Sequence, residues 1–193
     1  MRSVWLAVCA AVGLWACQQH EGERQDGGQS GAQADVAKTA PGESAPVTKM
    51  FGNKKRPCYL LFDNTNATAV GNGGVAPKIS IPRRPNLKGC ILCAVETYHW
   101  NGGAGAAPPS ISVTATDPGN PNGKPDPGKP LGPATSTAGQ GGAPNVNWTQ
   151  EFDGPWIPDG MNINVTDGNP ATWSQNGGSG GSGFTKVWCE VEQ

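Results

Sequence analysis

Charged side chains are scarce in this chain of 193 residues, and they nearly cancel. Lys and Arg number 14 against 15 for Asp and Glu, which gives a net charge of −1. A protein that binds the phosphates of nucleic acid needs a basic field, which this chain lacks. The clusters Lys54-Lys55-Arg56 and Arg83-Arg84 are small enough to be solvated surface. We therefore expect no nucleic-acid partner.

Histidine is also rare, and its scarcity limits the catalytic options. The chain has 2 histidines, of which His99 falls in the part that we expect to fold. A Cys/His nucleophile pair would need Cys93 beside His99, but the two lie about 20 Å apart along one extended strand. The sequence has no Gly-x-Ser-x-Gly elbow, phosphate-binding glycine loop or His-Glu-x-x-His helix. We expect no enzyme activity and no cofactor.

Candidate metal ligands are similarly sparse. Asp117, Asn120 and Asn122 resemble an oxygen-ligand calcium loop, but prolines interrupt them and the spacing is irregular. Paired carboxylates for a glycosidase could come from several acidic residues, yet nothing in the sequence brings two of them together. We therefore assign no metal site.

The amino terminus has the pattern of a bacterial signal peptide. Arg2 is followed by the apolar stretch 4–15, which is shorter than the about 20 residues needed to span a bilayer. It ends at Leu14-Trp15-Ala16-Cys17, which resembles the lipobox of bacterial lipoproteins, although Trp15 is bulkier than usual. The resemblance implies lipidation of Cys17, cleavage of residues 1–16 and anchoring to a membrane. The alternative is an ordinary signal peptide with a chance cysteine.

The residue after Cys17 bears on location. In lipoproteins of Gram-negative bacteria, Asp at this position marks retention in the inner membrane, and here the residue is Gln18. The resemblance therefore implies a lipid-anchored protein of the cell envelope, on the outer membrane.

Residues 17–53 have the composition of a flexible tether. Gln, Gly, Glu, Ala and Ser dominate up to about Thr48, with no aromatic residue. Such a segment buries too little apolar surface to offset its ordering entropy. We predict a disordered linker that holds a single domain, residues 54–193, clear of the membrane.

The domain has an all-β pattern. Met161, Ile163 and Val165 alternate with polar residues, the period of a half-buried strand, and the segment 90–100 is apolar on both faces like a central strand. Gly, Pro and Asn separate these runs, and no stretch has a helical period. We predict a single β-sandwich, of the jelly-roll kind. Further strands are predicted at 57–63, 75–81, 111–113, 146–152 and 184–191. The Pro/Gly-rich loop 117–142 is predicted to be disordered.

Four cysteines in the domain predict two disulfides, because an exported protein oxidises an even set of this kind. On a regular strand, Cys90 and Cys93 would point to opposite faces with their Cα atoms about 10 Å apart, beyond disulfide reach. Each would then bond to Cys58 or Cys189. A bend at Gly89 would instead allow a local Cys90–Cys93 bridge. A four-thiolate zinc site is a further alternative.

Aromatic residues stand in unusually polar surroundings. Exposed Trp and Tyr rings stack on sugar rings, and neighbouring amides and carboxylates bond hydroxyl groups. Such residues predict a ligand-binding surface, although each aromatic could instead fill the core. The candidate ligand contacts are Tyr98, His99, Trp100, Asn145, Trp148, Asp167 and Trp173.

Several motifs together resemble a small secreted β-domain that recurs in bacterial extracellular proteins as an accessory or repeated module. They are Phe62-Asp63-Asn64, Thr97-Tyr98-His99-Trp100-Asn101, Gly139-Gln140-Gly141-Gly142-Ala143-Pro144-Asn145, Pro158-Asp159-Gly160 and Pro170-Ala171-Thr172-Trp173-Ser174-Gln175-Asn176. The resemblance covers nearly the whole folded part and implies fold and location, but no activity. The four cysteines and the long Pro/Gly-rich loop are departures from it.

Three functional hypotheses follow. The first is a non-catalytic binding or adhesion module, for a polysaccharide or a surface protein. The second is a purely structural surface lipoprotein. The third is a hydrolase or metal-dependent activity centred on His99 with Asp167 or Glu96, which would need these groups to converge in a cleft.

Overall fold

The chain folds into antiparallel β-structure. The computed structural model describes residues 47–52, 54, 57–83, 89–120 and 122–190. The described strands, in chain order, are β1 (Thr48–Lys49), β2 (Cys58–Asp63), β3 (Ile79–Ser80), β4 (Cys90–Tyr98), β5 (Ile111–Thr116), β6 (Lys129–Pro130), β7 (Thr135–Thr137), β8 (Asn147–Asp153), β9 (Trp156–Ile157), β10 (Asn162–Asp167) and β11 (Thr185–Glu190). Short 3-10 helices cover Asn101–Gly103, Gln140–Gly142, Pro170–Thr172 and Gly177–Ser179. Across the described ranges, no helix is long and apolar enough to cross a membrane.

The strands form two sheets. The larger has the order β1-β2-β11-β4-β8-β6, with β7 also pairing with β8 and β9 with β4. The smaller has the order β3-β10-β5. The predicted all-β sandwich is confirmed. Each of the seven predicted strands overlaps a strand of the structure, although the predicted segment 75–81 contains only the two-residue strand β3. The sequence missed the two- and three-residue strands β1, β6, β7 and β9.

A buried apolar core joins the two sheets. Strand β10 contributes Ile163 and Val165, and the large sheet contributes Val95, Trp148 and Phe152. Alternation explains the placement, since on β8 the residues Trp148 and Phe152 face the core while Asn147 and Thr149 face outward. The outward face of the large sheet is therefore the surface on which a site can lie.

Part of that outward face is covered by a second apolar cluster. Phe51 packs against Trp188, with ring centroids 5.5 Å apart, over the half of the sheet that holds Cys58, Cys93 and Ala94. Strand β1 pairs with β2 beside it. Residues 47–52 thus belong to the folded domain, and the predicted tether boundary at residue 53 is too late. The error arose because Phe51 lies in no local apolar run and is buried only by tertiary contact.

The signal peptide 1–16, Cys17 and residues 18–46 of the predicted tether lie outside the described residues.

Two disulfides occupy opposite faces of the large sheet. Cys58 bonds to Cys93 in the outer cluster, and Cys90 bonds to Cys189 in the core between the sheets. The predicted opposite orientation of Cys90 and Cys93 is confirmed, so the local bridge is not formed. All four thiols are used, which leaves no thiolate for the zinc alternative.

The Pro/Gly-rich loop is ordered where it is described, contrary to the prediction. Strands β6 and β7 both pair with β8, and the backbone N–H of Leu131 donates to the carbonyl of Glu151 at 2.8 Å. Strands of two or three residues are too short to show a periodicity, so local pattern did not indicate β6 and β7. The loop therefore extends the large sheet and borders its outward face.

Candidate functional site

The open half of the outward face forms a cleft of about 780 Å³. Its floor is two rows of cross-strand neighbours. One row crosses β11, β4 and β8 and consists of Lys186, Glu96 and Thr149. The second row crosses β4, β8 and β7 and consists of Tyr98, Asn147 and Thr137. Register thus sets six side chains from four strands on one surface. We call this surface the outer cleft.

One wall of the outer cleft is the loop 65–70. Its fixed point is a reciprocal amide pair, in which Nδ2 of Asn66 donates to Oδ1 of Asn176 at 3.0 Å and Nδ2 of Asn176 donates to Oδ1 of Asn66 at 2.6 Å. Thr65 donates to Oδ1 of Asp63 through both its backbone N–H and its hydroxyl. These bonds hold the wall in place without contribution from a ligand. The opposite wall includes Gln140.

Trp100 stands at one end of the outer cleft in a fixed position. Its backbone N–H donates to Oγ of Ser174 at 2.8 Å, and it begins the 3-10 helix Asn101–Gly103. Asn101 adopts φ 45°, and its Nδ2 donates to the carbonyl of Gly105. Asparagine tolerates the left-handed region better than most residues, and the side-chain bond to Gly105 stabilises this conformation. The indole, half-buried, is therefore presented by a rigid turn.

Tyr98 supplies the second aromatic surface. Its ring lies 6.3 Å from that of Phe184 at a tilt of 39°. Partial burial raises the pKa of the Tyr98 phenol above its ordinary value of 10.0, because the phenolate would lose hydration. The phenol is therefore a neutral hydroxyl donor at physiological pH.

The charged side chains of the outer cleft are held in ion pairs. Lys49 pairs with Oε1 of Glu96 and lies 4.8 Å from the centroid of the Phe51 ring. Oε2 of Glu96 accepts from Nε1 of Trp188 at 3.1 Å. Across the cleft floor, Nζ of Lys186 lies 3.4 Å from Oδ2 of Asp63. The electrostatic field of these groups is largely cancelled within the protein.

Four of the predicted ligand contacts do not reach the surface. His99 and Trp148 are 0% exposed, Trp173 is 2% exposed and Asp167 is 5% exposed. Nε1 of Trp173 donates to the carbonyl of Phe184, and its ring packs so closely on Gly183 that a Cβ there would lie 2.1 Å from the indole. Buried side chains cannot stack on a ligand, so these four leave the candidate set. Of the predicted residues, Tyr98 and Trp100 line the outer cleft.

Two of the four buried residues, His99 and Asp167, form the centre of a polar network between the sheets. Nε2 of His99 lies 3.1 Å from Oδ2 of Asp167, and its Nδ1 lies 3.0 Å from Oγ1 of Thr172. The hydroxyl of Thr97 donates to Oδ2 of Asp167 at 3.0 Å. The imidazole also stacks on Trp148, with centroids 3.4 Å apart. Because His99 follows β4 and Asp167 ends β10, the network links the large sheet to the small one.

The network contains a hydroxyl, an imidazole and a carboxylate in series, from Thr172, His99 and Asp167. An activated nucleophile has the same arrangement. The hypothesis of an activity centred on His99 requires these groups to meet in a cleft. They do meet, but the side chains of His99 and Asp167 have no exposed surface. The outer cleft reaches Thr97 and not the imidazole. A substrate in solution has no route to His99 in this conformation.

The remaining predicted positions have local roles. Asn145, at φ 51°, turns the chain before β8, and its Oδ1 accepts from Oγ of Ser136. Oδ1 of Asp117 accepts from the N–H of Gly119, and Oδ1 of Asn120 accepts from the N–H of Asn122, so the calcium-like side chains stabilise their own turn. Within the described ranges, no group of three or more His, Cys, Asp or Glu side chains is placed to hold a metal ion.

Sequence reasoning missed most of the cleft floor. The floor residues Thr149 and Thr137 carried no chemical signal of their own, and neither did Gln140 of the opposite wall. The alternation on β8 was a usable signal, because it sets Asn147 and Thr149 on the face opposite to Trp148. No sequence pattern could have identified the wall 65–70, which the distant Asn176 holds in place.

No protein-family model, curated protein or solved structure matches this chain.

Proposed function

We propose that this protein is a lipid-anchored binding module of the bacterial cell envelope that holds a glycan in the outer cleft. The observation that carries the proposal is the combination of Tyr98 and Trp100 with amide and hydroxyl side chains in a cleft of about 780 Å³. That volume falls within the range of about 300–1,000 Å³ common for ligand sites. Aromatic faces stack on sugar rings while neutral polar groups bond their hydroxyls.

Preorganisation favours binding over a purely structural role. The wall 65–70 and the Trp100 turn are fixed by hydrogen bonds made inside the protein, so a ligand would not need to order them. A structural lipoprotein gains nothing from an aromatic residue presented beside an open polar cleft. The resemblance to secreted bacterial accessory modules agrees with this proposal.

The test is a binding survey of the full chain carrying Cys17→Ser, produced in an oxidising compartment so that both disulfides form. The substitution removes the proposed acylation site, so that no acyl chain ties the protein to a membrane. The chain is titrated with soluble oligosaccharides and incubated with insoluble polysaccharides. We expect binding that Trp100→Ala or Tyr98→Ala weakens by about tenfold or more.

Trp156→Ala is the matched control, because Trp156 is 39% exposed and does not line the outer cleft. It should leave glycan affinity unchanged. Absence of binding across a broad panel, or equal loss in the Trp156 variant, would contradict the proposal and leave the structural role.

The lipid anchor is tested separately on the unmodified chain in a Gram-negative host. We expect labelled palmitate to be incorporated and the protein to sediment with outer membranes. Cys17→Ser should abolish both. Palmitate labelling that survives the substitution would contradict the assignment of Cys17.

A further inference from the structure

The charges of the outer cleft restrict the class of glycan. Lys49, Lys186 and Glu96 are the charged residues among its lining side chains within the described part of the chain. Each has an opposite partner, because Lys49 pairs with Glu96 and Lys186 pairs with Asp63. Both carboxylates also accept further hydrogen bonds, from Nε1 of Trp188 and from Thr65. Neither lysine is left as an unpaired cation for an anionic ligand.

Neutral hydrogen-bonding groups in the same cleft are uncommitted. The hydroxyls of Tyr98, Thr137 and Thr149 and the side-chain amide of Gln140 line the cleft. Over the described ranges, these four groups have no side-chain hydrogen bond. Register places three of them on one surface, since Thr149 and Thr137 lie on the adjacent strands β8 and β7 and Tyr98 faces Asn147 on β8. The groups free to receive a ligand are therefore uncharged donors and acceptors.

We infer that the outer cleft selects neutral saccharides and disfavours uronates, sulfated sugars and phosphorylated sugars. This inference rests on the proposed function. A neutral sugar can use the four free groups and the Trp100 face without disturbing an ion pair. A ligand carboxylate would have to displace Glu96 or Asp63 from a lysine, or lie beside them as a like charge.

The experiment uses polysaccharides in matched pairs on the full chain carrying Cys17→Ser. Amorphous cellulose, β-1,4-mannan, β-1,3-glucan and chitin are each used in native form and after oxidation of the primary hydroxyl to a carboxylate. Each pair shares linkage and ring stereochemistry, so the charge is the main difference. We expect native forms to bind at least about tenfold more tightly, with little dependence on salt concentration.

The outcomes distinguish a failure of the neutral selectivity from a failure of the proposed glycan binding. Oxidised forms that bind as tightly as native forms, or more tightly, overturn the neutral selectivity and leave a glycan-binding module. Failure of every native and oxidised polymer to bind overturns the proposed function itself.

A matched substitution tests the free hydroxyls. Thr149→Val keeps the shape of the side chain and removes one uncommitted hydroxyl, so affinity for the native polymer should fall about fivefold, the equivalent of one hydrogen bond. Thr166→Val is the control, because Thr166 is an exposed threonine on β10 of the small sheet. Equal affinities for both variants would overturn the role of Thr149.

Discussion

The buried network around His99 should behave as one energetic unit. Its imidazole stacks on Trp148 and contacts Asp167 at 3.1 Å and Thr172 at 3.0 Å, with no exposed surface. His99→Gln removes the stack and the contact with Asp167. Because an aromatic pair contributes about 0.5–1.5 kcal/mol and a charge-assisted hydrogen bond about 1.5–3 kcal/mol, this variant should lose about 2–4.5 kcal/mol of unfolding free energy.

Asp167→Asn tests the other side of the same contact. The new amide keeps an acceptor for the N–H of Asn169, which lies 2.8 Å from Oδ1. At the position of Oδ2 it replaces an acceptor by a donor, which faces Thr97 and His99. We expect a loss of about 1.5–3 kcal/mol, the contribution of one hydrogen bond to a charged group.

The double variant distinguishes a shared contact from two independent ones. The bond between His99 and Asp167 can be lost only once, so the double variant should be less destabilised than the sum of the single variants by about 1–3 kcal/mol. The assay is guanidinium unfolding followed by tryptophan fluorescence, with both disulfides intact. The control combines Asp153→Ala with His99→Gln. Asp153 lies six residues along β8 from Asn147, the cross-strand partner of Tyr98, so it is about 20 Å from the end of β8 that lies near His99.

Additivity within about 0.5 kcal/mol for His99 with Asp167 would contradict the shared contact. It would mean that the network contributes through packing alone. Coupling of the same size in the control pair would also refute it, because the effect would then be global.

Three further outcomes are expected. The double substitution Cys90→Ala and Cys189→Ala should lower the unfolding free energy by about 4.7 kcal/mol, because the bridge closes a loop of 99 residues and restricts the unfolded chain. A loss below about 2 kcal/mol in guanidinium unfolding would contradict this. Trp173→Ala should cost about 3–5 kcal/mol and the half-buried Trp100→Ala about 1–2 kcal/mol, so the reverse order in thermal melts would contradict the assignment of core and cleft. Burial raises the pKa of the Tyr98 phenol, so the difference between ultraviolet titrations of the wild type and Tyr98→Phe should show ionisation above pH 10.0. The stability linked to this phenol is present below pH 10.0 and is lost as pH rises through the raised pKa. A midpoint below 10.0 would contradict the burial.

Local pattern was sufficient for seven of the eleven described strands. Alternation on β10 and the two-sided apolar character of β4 predicted strands that the structure contains, because side-chain burial in a sheet follows a period of two. The same geometry predicted that Cys90 and Cys93 face opposite ways, and hence which class of disulfide pairing forms. These features depend on a few adjacent residues, which the sequence displays directly.

Which polar-aromatic motif faces solvent depends on tertiary packing that no local pattern records. Trp100 and Trp173 both have polar neighbours in the sequence. Trp100 nevertheless lines the outer cleft, whereas Trp173 packs on Gly183. The difference arises from contacts between residues far apart in sequence. Phe51 covers half of the outward face from the amino-terminal side, and Asn176 fixes the wall 65–70 across a separation of 110 residues. Composition and periodicity record what a segment can bury, whereas long-range packing determines which face of it remains open.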